Sequence, residues 1–313
     1  MRNSLNTSSE QALHAVALMG PTGTGKSSLA MHIAEACNSA IVCCDSMQIY
    51  QELNIGTAKA SIEEQSRVPH FMLDCCELPD SFSAARWAKH AATAIRKENR
   101  AGRIPLIAGG TGLYLKALTE GFSEIPPEQA GVREKLEHLR KVQGTSGLYR
   151  ILQEKDGDMA KRLEPGDTQR IMRALCVFES TGKPLSAWQA QGGTSKPEIH
   201  CPVYVLDMPR DALRQRIACR FQDMLDAGWL EEVQWLDSLH LAGTHPAMRA
   251  VGYRQLLAHV RGECPLPEAI GAGITATRRY AKRQRTWFTH QTPDAVWGNA
   301  DQLAPRIIEA LQT

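Results

Sequence analysis

The chain has 313 residues, of which 43% are hydrophobic and 22% charged, the balance of a globular protein holding one large domain or two of ordinary size. No apolar run reaches the roughly 18–20 residues of a membrane-spanning helix, and the polar start MRNSLNTSSEQALH reads as a lead-in to the first strand, not as a secretory signal. A net charge of +2 does not by itself announce a nucleic-acid partner, and the nine cysteines include no CxxC pair and no zinc-finger spacing, so they read as reduced thiols of a cytoplasmic chain.

In chain order, HAVALMG (14–20) is a short apolar run closed by glycine and predicts a buried strand. GPTGTGKSS (20–28) follows and matches G-x-x-x-x-G-K-[ST] at Gly20, Gly25, Lys26 and Ser27. KSSLAMHIAEAC (26–37) then has helical spacing, with Leu29, Ile33 and Ala36 on one side. Strand, glycine loop and helix are the setting of a phosphate-binding loop. Its backbone, Gly20, Pro21, Thr22, Gly23, Thr24 and Gly25, turns N–H groups toward anionic oxygens, and the helix adds its positive N-terminus. Lys26 contributes a charge, and the Ser27 hydroxyl is placed to ligate Mg2+ on the phosphates. The loop predicts a di- or triphosphate ligand and no particular reaction.

AIVCCDS (40–46) is a second strand, ending in Asp45. A carboxylate at a buried strand end is costly unless it has a partner or a function. It can hold magnesium, activate a nucleophile, or cap a helix over SMQIYQEL. Position alone leaves these open. Residues 81–102 predict a helix capped by Ser81 or Ser83 and stopped at Gly102, and IPLIAGGTGLYLKAL (104–118) repeats strand, glycine turn and helix. The expected fold is α/β, a P-loop core with a parallel sheet flanked by helices. Gly20–Lys26, Asp45 and Gly109–Thr111 then meet at the carboxyl ends of the strands, where such sheets bind ligands.

From 123 to 198 the strand-like runs vanish, and VREKLEHLRKVQ, GLYRILQEKD and TQRIMRALCVFESTGKPL predict amphipathic helices closed by the polar QAQGGTSKPE. This predicts a core over 1–122, a helical insertion domain over 123–198 and a return to the core over 199–313. HCPVYVLDM (200–208) is again strand-like, 213–236 predicts one or two helices, and the tail is helical from 268 through RRYAKRQRTWF. That stretch holds Arg278, Arg279, Lys282, Arg283 and Arg285 with Tyr280, Trp287 and Phe288 between them, a composition suited to RNA phosphates and bases. Among Arg214, Arg216 and Arg220, one can reach the phosphate site or pair with Asp223 or Glu231; spacing does not choose.

GPTGTGKS, DSMQIYQELNIGTAKA, PHFMLDC, GRIPLIAGGTGLYLKAL, DTQRIMRAL, RFQDMLDAGWLEEV, AVGYRQ and TRRYAKRQRTWF together resemble the tRNA dimethylallyltransferases, in order and at the expected spacing, from about residue 14 to 290. The resemblance implies transfer of a dimethylallyl group from dimethylallyl diphosphate to the N6 amine of adenosine 37 beside the anticodon, with release of diphosphate. By similarity Thr22, Lys26 and Arg220 face the diphosphate and Asp45 is the general base. The tRNA-facing segments would be Asp45, Ser46, Met47 and Gln48; Thr111; Gln169, Arg170, Ile171, Met172 and Arg173; Arg249, Ala250, Val251, Gly252, Tyr253 and Arg254; and Lys282, Arg283, Gln284, Arg285, Thr286, Trp287 and Phe288. The implied partner is the tRNA anticodon stem-loop, gripped by the insertion, with Mg2+ as cofactor, a monomeric chain and no membrane. The chain departs from the family pattern at Phe71, Ala60 and the missing C-terminal zinc finger, which points to a bacterial type. The competing readings are a small-molecule kinase or ATPase, an adenylate dimethylallyltransferase built on the same loop, and a non-catalytic RNA-binding protein that keeps the loop as a relic.

Overall fold

Apolar tetrads separated by helical segments predict strands buried on both faces. The computed structural model realises them, and describes residues 12–121, 123, 125–126, 128–191 and 198–313. The chain divides into two compact units, Met1–Thr119 with Pro197–Thr313, and Glu120–Lys196. The first unit opens with β1 (Leu13–His14), β2 (Val16–Met19), α1 (Lys26–Cys37), β3 (Ile41–Cys44), α2 (Ile62–Arg67), β4 (His70–Phe71), α3 (Ala84–Arg100), β5 (Leu106–Gly109) and α4 (Gly112–Thr119). The single strand expected over 14–20 is split at Ala15. Ser83 caps α3 by accepting the Arg86 N–H. No helix follows Asp45: SMQIYQEL forms turns, so the expected helix cap has no helix to serve.

The second unit has α5 (Val132–Lys155), α6 (Gly157–Arg162), α7 (Thr168–Thr181) and α8 (Leu185–Ala190). The two helices expected over 132–143 and 147–156 are the halves of α5, broken at Gly144 (φ 70°, ψ −179°). Leu136, Leu148, Leu152, Ile171, Leu175 and Cys176 form this unit's own core. The buried Asp156 carboxylate ties it together, accepting the Met159 N–H, the Ser186 N–H and the Ser186 hydroxyl. Part of QAQGGTSKPE, residues 192–197, lies outside the described residues, as does most of the N-terminal lead-in.

The chain returns through β6 (Ile199–His200), β7 (Val203–Leu206), α9 (Arg210–Asp226), α10 (Trp229–Ser238), α11 (Pro246–Arg249), α12 (Tyr253–Val260), α13 (Leu266–Gln291), β8 (Val296–Gly298) and α14 (Ala300–Gln312). The segment 213–236 is two helices, divided at Gly228. Among the described residues the main sheet is parallel, in the order β4-β3-β5-β2-β7-β8, while β1 pairs with β6. Ile33 of α1 and Leu303 and Ile307 of α14 pack with Val16, Leu18, Ile41 and Leu106 on one face. Trp87 of α3 donates its indole N–H to the Cys43 carbonyl (3.0 Å) and stacks on Tyr114 of α4. In register, Gly109 lies opposite both Met19 and Cys44, so β2, β5 and β3 end level. The residues after them, the glycine loop, Gly110–Thr111 and Asp45, therefore emerge side by side.

Candidate active site

The loop after β2 is held by its own polar groups. Lys26 Nζ and Thr24 Oγ1 both donate to the Pro21 carbonyl, at 2.6 and 2.9 Å. Gly25 caps α1 in the left-handed conformation (φ 93°), and a Cβ there would stand 3.0 Å from the Arg216 guanidinium. A side chain at this position would be strained by the backbone and would crowd the arginine. Burial lowers the Lys26 ammonium to about 7; Arg220 pushes the same way and Asp45 opposes both. Arg220 is itself lowered by burial, with Asp45 opposing and Arg216 reinforcing the shift. Lys26, Arg220, Arg216 and Asp45 are thus electrostatic neighbours, and excess positive charge faces a cleft of ≈ 350 Å³ lined also by Gly23, Ser27 and Cys43. An anion entering that cleft is the natural counter-charge. Spacing left Arg216 and Arg220 open; both line the cleft. Ser27 is exposed at the start of α1.

Asp45 leaves β3 and accepts the Met47 N–H with Oδ1 at 2.8 Å, an Asx-type turn in place of the helix cap. Thr111 fixes the next residue: its hydroxyl accepts the Ser46 N–H (3.1 Å), and its own N–H donates to the Cys44 carbonyl (3.0 Å). Gln48 reaches the other way, donating to the carbonyls of Thr57 (2.9 Å) and Ala58 (3.1 Å) and accepting from Cys43 Sγ. Its amide therefore ties the segment after Asp45 to the loop 53–60, three of whose residues, Ala58, Lys59 and Ala60, line the cleft.

That loop has a clamp that sequence reading missed. The Glu232 carboxylate of α10 accepts three successive N–H groups, from Asn54 (2.7 Å), Ile55 (2.8 Å) and Gly56 (3.0 Å), and also the Tyr253 hydroxyl of α12. A Cβ on Gly56 would stand 1.9 Å from the Trp229 indole nitrogen, so only glycine fits. The loop's lysine is used internally: Lys59 Nζ donates to the Tyr50 carbonyl (2.6 Å) and pairs with Asp74. The signal available in sequence was Gly56 itself, together with an acid in the WLEEV stretch.

The segments assigned to tRNA divide by exposure. On α7, Gln169, Arg170 and Arg173 are exposed, whereas Ile171 and Met172 belong to the core of the smaller unit. Arg249 and Arg254 are exposed on either side of the buried Ala250, Gly252 and Tyr253, with Val251 half-buried. On α13, Lys282, Arg283, Arg285 and Thr286 are exposed, Trp287 is half-buried, and Gln284 and Phe288 are buried. Arg285 forms a two-pronged pair with Asp207 (2.9 and 3.1 Å), and Arg283 lies over the Tyr280 ring at 5.6 Å. Burial, then the charge of Asp45, push the Tyr280 phenol up. The side chains of Gln284, Phe288, Ile171 and Met172 are taken up inside the protein; their segments, not these side chains, offer a surface.

A parallel sheet whose strand β2 opens into a glycine loop, with a lysine and two arginines converging on it, defines a P-loop fold. The family described as IPP transferase matches residues 48–291. Similar curated proteins include the tRNA dimethylallyltransferases of Rhodospirillum centenum, 45% identical over 87% of each chain, and of Azorhizobium caulinodans, 42% identical over 95% of this chain and 96% of that one. Among solved structures, the tRNA isopentenylpyrophosphate transferase of Bacillus halodurans is 29% identical, covers 96% of this chain and 97% of its own, and superposes with a TM-score of 0.69. A eukaryotic dimethylallyltransferase described as acting on tRNA is 26% identical over 92% of this chain and 74% of its own, with a TM-score of 0.74. The chain belongs to the IPP transferase family and is a transferase. Among the described residues no helix is long and apolar enough to cross a membrane.

Proposed function

We propose that this chain transfers the dimethylallyl group of dimethylallyl diphosphate to the exocyclic N6 amine of adenosine 37, beside the anticodon of tRNA, and releases diphosphate. The observation that carries the reading is one cleft in which Lys26, Arg216 and Arg220 crowd the glycine loop, with Glu64 also in its lining, while Asp45, just past the end of β3, stands within electrostatic reach of Lys26 and Arg220. The relatives that match along nearly the whole chain are named tRNA dimethylallyltransferase, which supports the reading as far as the group transferred and the tRNA acceptor.

The allylic C–O bond breaks more easily as charge on the departing diphosphate is stabilised. The loop N–H groups, Lys26 and Arg220 supply that stabilisation, and Thr22 stands beside them. A bound anion favours the charged form of Lys26, against the burial that lowers it. The donor set around the loop suits magnesium: the Ser27 hydroxyl is exposed, with no hydrogen bond among the described residues, and diphosphate oxygens and water would complete the shell. When bound there, magnesium supplies further positive charge to the leaving group. The adenine amine forms the new N–C bond and gives its proton to the Asp45 carboxylate. To reach the cleft the base leaves its stack, at a cost of about a few kcal/mol. Exposed cations of α13, Arg249, Arg254 and, on α7, Arg170 and Arg173 offset that cost by binding the anticodon stem-loop. The chain works as a cytoplasmic monomer.

The test is incubation of the purified protein with tRNA and labelled dimethylallyl diphosphate, followed by mass spectrometry of the nucleosides. The expected product is N6-dimethylallyladenosine next to the anticodon, with an equal amount of diphosphate. Labelling of AMP in preference to an anticodon hairpin, or release of phosphate from ATP without prenylated RNA, refutes the proposal.

A further inference from the structure

The α13 segment that resembles an RNA-facing one contains a residue that cannot face RNA. Gln284 is only 6% exposed. Its Oε1 accepts the Thr22 N–H of the phosphate loop at 2.8 Å, and its Nε2 donates to the Gly110 carbonyl of the β5–α4 turn at 2.9 Å. A Cβ on Gly110 would fall 2.2 Å from that Nε2, so the turn is shaped around the amide. Trp287, on the same side of the helix, closes over Gly112, where a Cβ would come within 2.2 Å of the indole. The outer side of α13 carries Arg279 and Lys282, exposed and without an ion pair among the described residues.

We infer that Gln284 is a positioning residue for the donor site, its one amide setting the separation between the phosphate loop and the turn that carries Thr111. The inference rests on the reading that this loop holds the donor diphosphate. The chemistry demands an amide. The loop side needs an acceptor for Thr22 N–H and the turn side needs a donor for Gly110 C=O, so a carboxylate fails on the second and a lysine on the first. Apolar replacement orphans both backbone groups, and each must be satisfied again by movement of its segment. The loop N–H groups then no longer converge on the anion. Arg285 and Lys282, the neighbours of Gln284 on the outer side, do not enter this arrangement.

The experiment uses Gln284→Met, which keeps the volume and removes both bonds. Binding of inorganic diphosphate is measured by calorimetry without RNA, donor KM and kcat by prenyl transfer, and anticodon-hairpin affinity by titration at several salt concentrations without donor. The expected result is a loss of diphosphate affinity and a rise in donor KM of about tenfold or more, with hairpin affinity and its salt dependence unchanged. Weakened hairpin binding with diphosphate binding intact would make Gln284 an RNA contact and overturn the inference; so would a variant equal to wild type in every parameter. Where Gln284→Met does not fold by circular dichroism, Gln284→Glu carries the same comparison, since it keeps the acceptor for Thr22 and loses the donor to Gly110. A wild-type protein that binds no diphosphate, or binds it equally well after Lys26→Ala, brings down the donor-loop reading itself. Wild type that binds and a Gln284→Met protein that binds as tightly bring down only the role given to Gln284.

Discussion

At Asp45 an observed structural role and the proposed chemical role share one side chain. Its Oδ1 holds the turn through the Met47 N–H, while the carboxylate also stands within electrostatic reach of Lys26 and Arg220. The two roles separate by mutation. Asp45→Asn keeps an amide oxygen for Met47 and removes the basic carboxylate. The expected outcome is unchanged fold and tRNA affinity with turnover reduced by about two to four orders of magnitude, the usual worth of a general base. Single-turnover prenylation beside a tRNA titration checks it, and turnover near the wild-type level would leave Asp45 only the turn. The arginines make a second comparison. Arg216 is exposed beside Gly25, whereas Arg220 is more deeply set and coupled to Lys26. Arg220→Ala is expected to lower diphosphate affinity more than Arg216→Ala does, because a desolvated charge interacts more strongly with an anion than one in water. Calorimetry with inorganic diphosphate ranks them, and the reverse order would move the anion toward Arg216.

At the scale of elements, what was legible in sequence followed from burial. Val16–Met19 and Ile41–Cys44 are covered on both faces, so their apolar runs stood out, and the glycine loop was bounded by a strand and a helix. The edge strands β4 and β8 are short and only half-buried, and were not legible for that reason. Helix α14 was also missed. Its Leu303, Ile307 and Leu311 stripe is sound, but Pro305 interrupts the pattern, and its place against α1 depends on contacts far away in sequence. The buried half of α13 could not be told from its exposed half by composition, which is why Gln284 was grouped with Lys282 and Arg283. Gly56 and the acids of WLEEV marked the two ends of the Glu232 clamp, but its three partners lie on a loop about 180 residues upstream, so no local pattern joined them. It yields a stability prediction. Glu232→Ala leaves three backbone N–H groups and a tyrosine hydroxyl without their acceptor, and is expected to cost about 3 kcal/mol. Glu231→Ala, one residue earlier and exposed, is expected to stay within about 0.5 kcal/mol. Urea unfolding of both variants decides; equal effects would mean that the loop 53–60 is held by other contacts.

For the molecule as a whole, the division into two units with separate cores means that the insertion need not borrow stability from the sheet. Leu148, Leu152, Ile171, Ala174, Leu175 and Cys176 are nearly or wholly inaccessible within the helical unit, and Asp156 satisfies its buried carboxylate with groups of the same unit. The caps are local as well: Asp167 accepts the Arg170 N–H, and Gly182 ends α7 in the left-handed conformation. A unit of this kind has what independent folding requires, its own apolar core and no buried charge awaiting a distant partner. The segment 120–196 produced alone is therefore expected to be helical by circular dichroism and to melt in one cooperative transition. Its exposed Gln169, Arg170 and Arg173 form a short polar and basic strip at the start of α7, and Arg170 is only loosely paired with Asp167 at 3.5 Å. In the full chain, the double substitution Arg170→Ala and Arg173→Ala is expected to weaken anticodon-hairpin binding and to flatten its salt dependence, by up to about 0.9 in slope for each phosphate no longer neutralised. Binding of inorganic diphosphate should not change, because the residues proposed to hold it lie in the other unit. A gradual melt of the isolated segment would show that its core depends on the rest of the chain. An unaltered salt slope in the double variant would remove α7 from the RNA surface and leave α13 and the 249–254 segment to hold the hairpin alone.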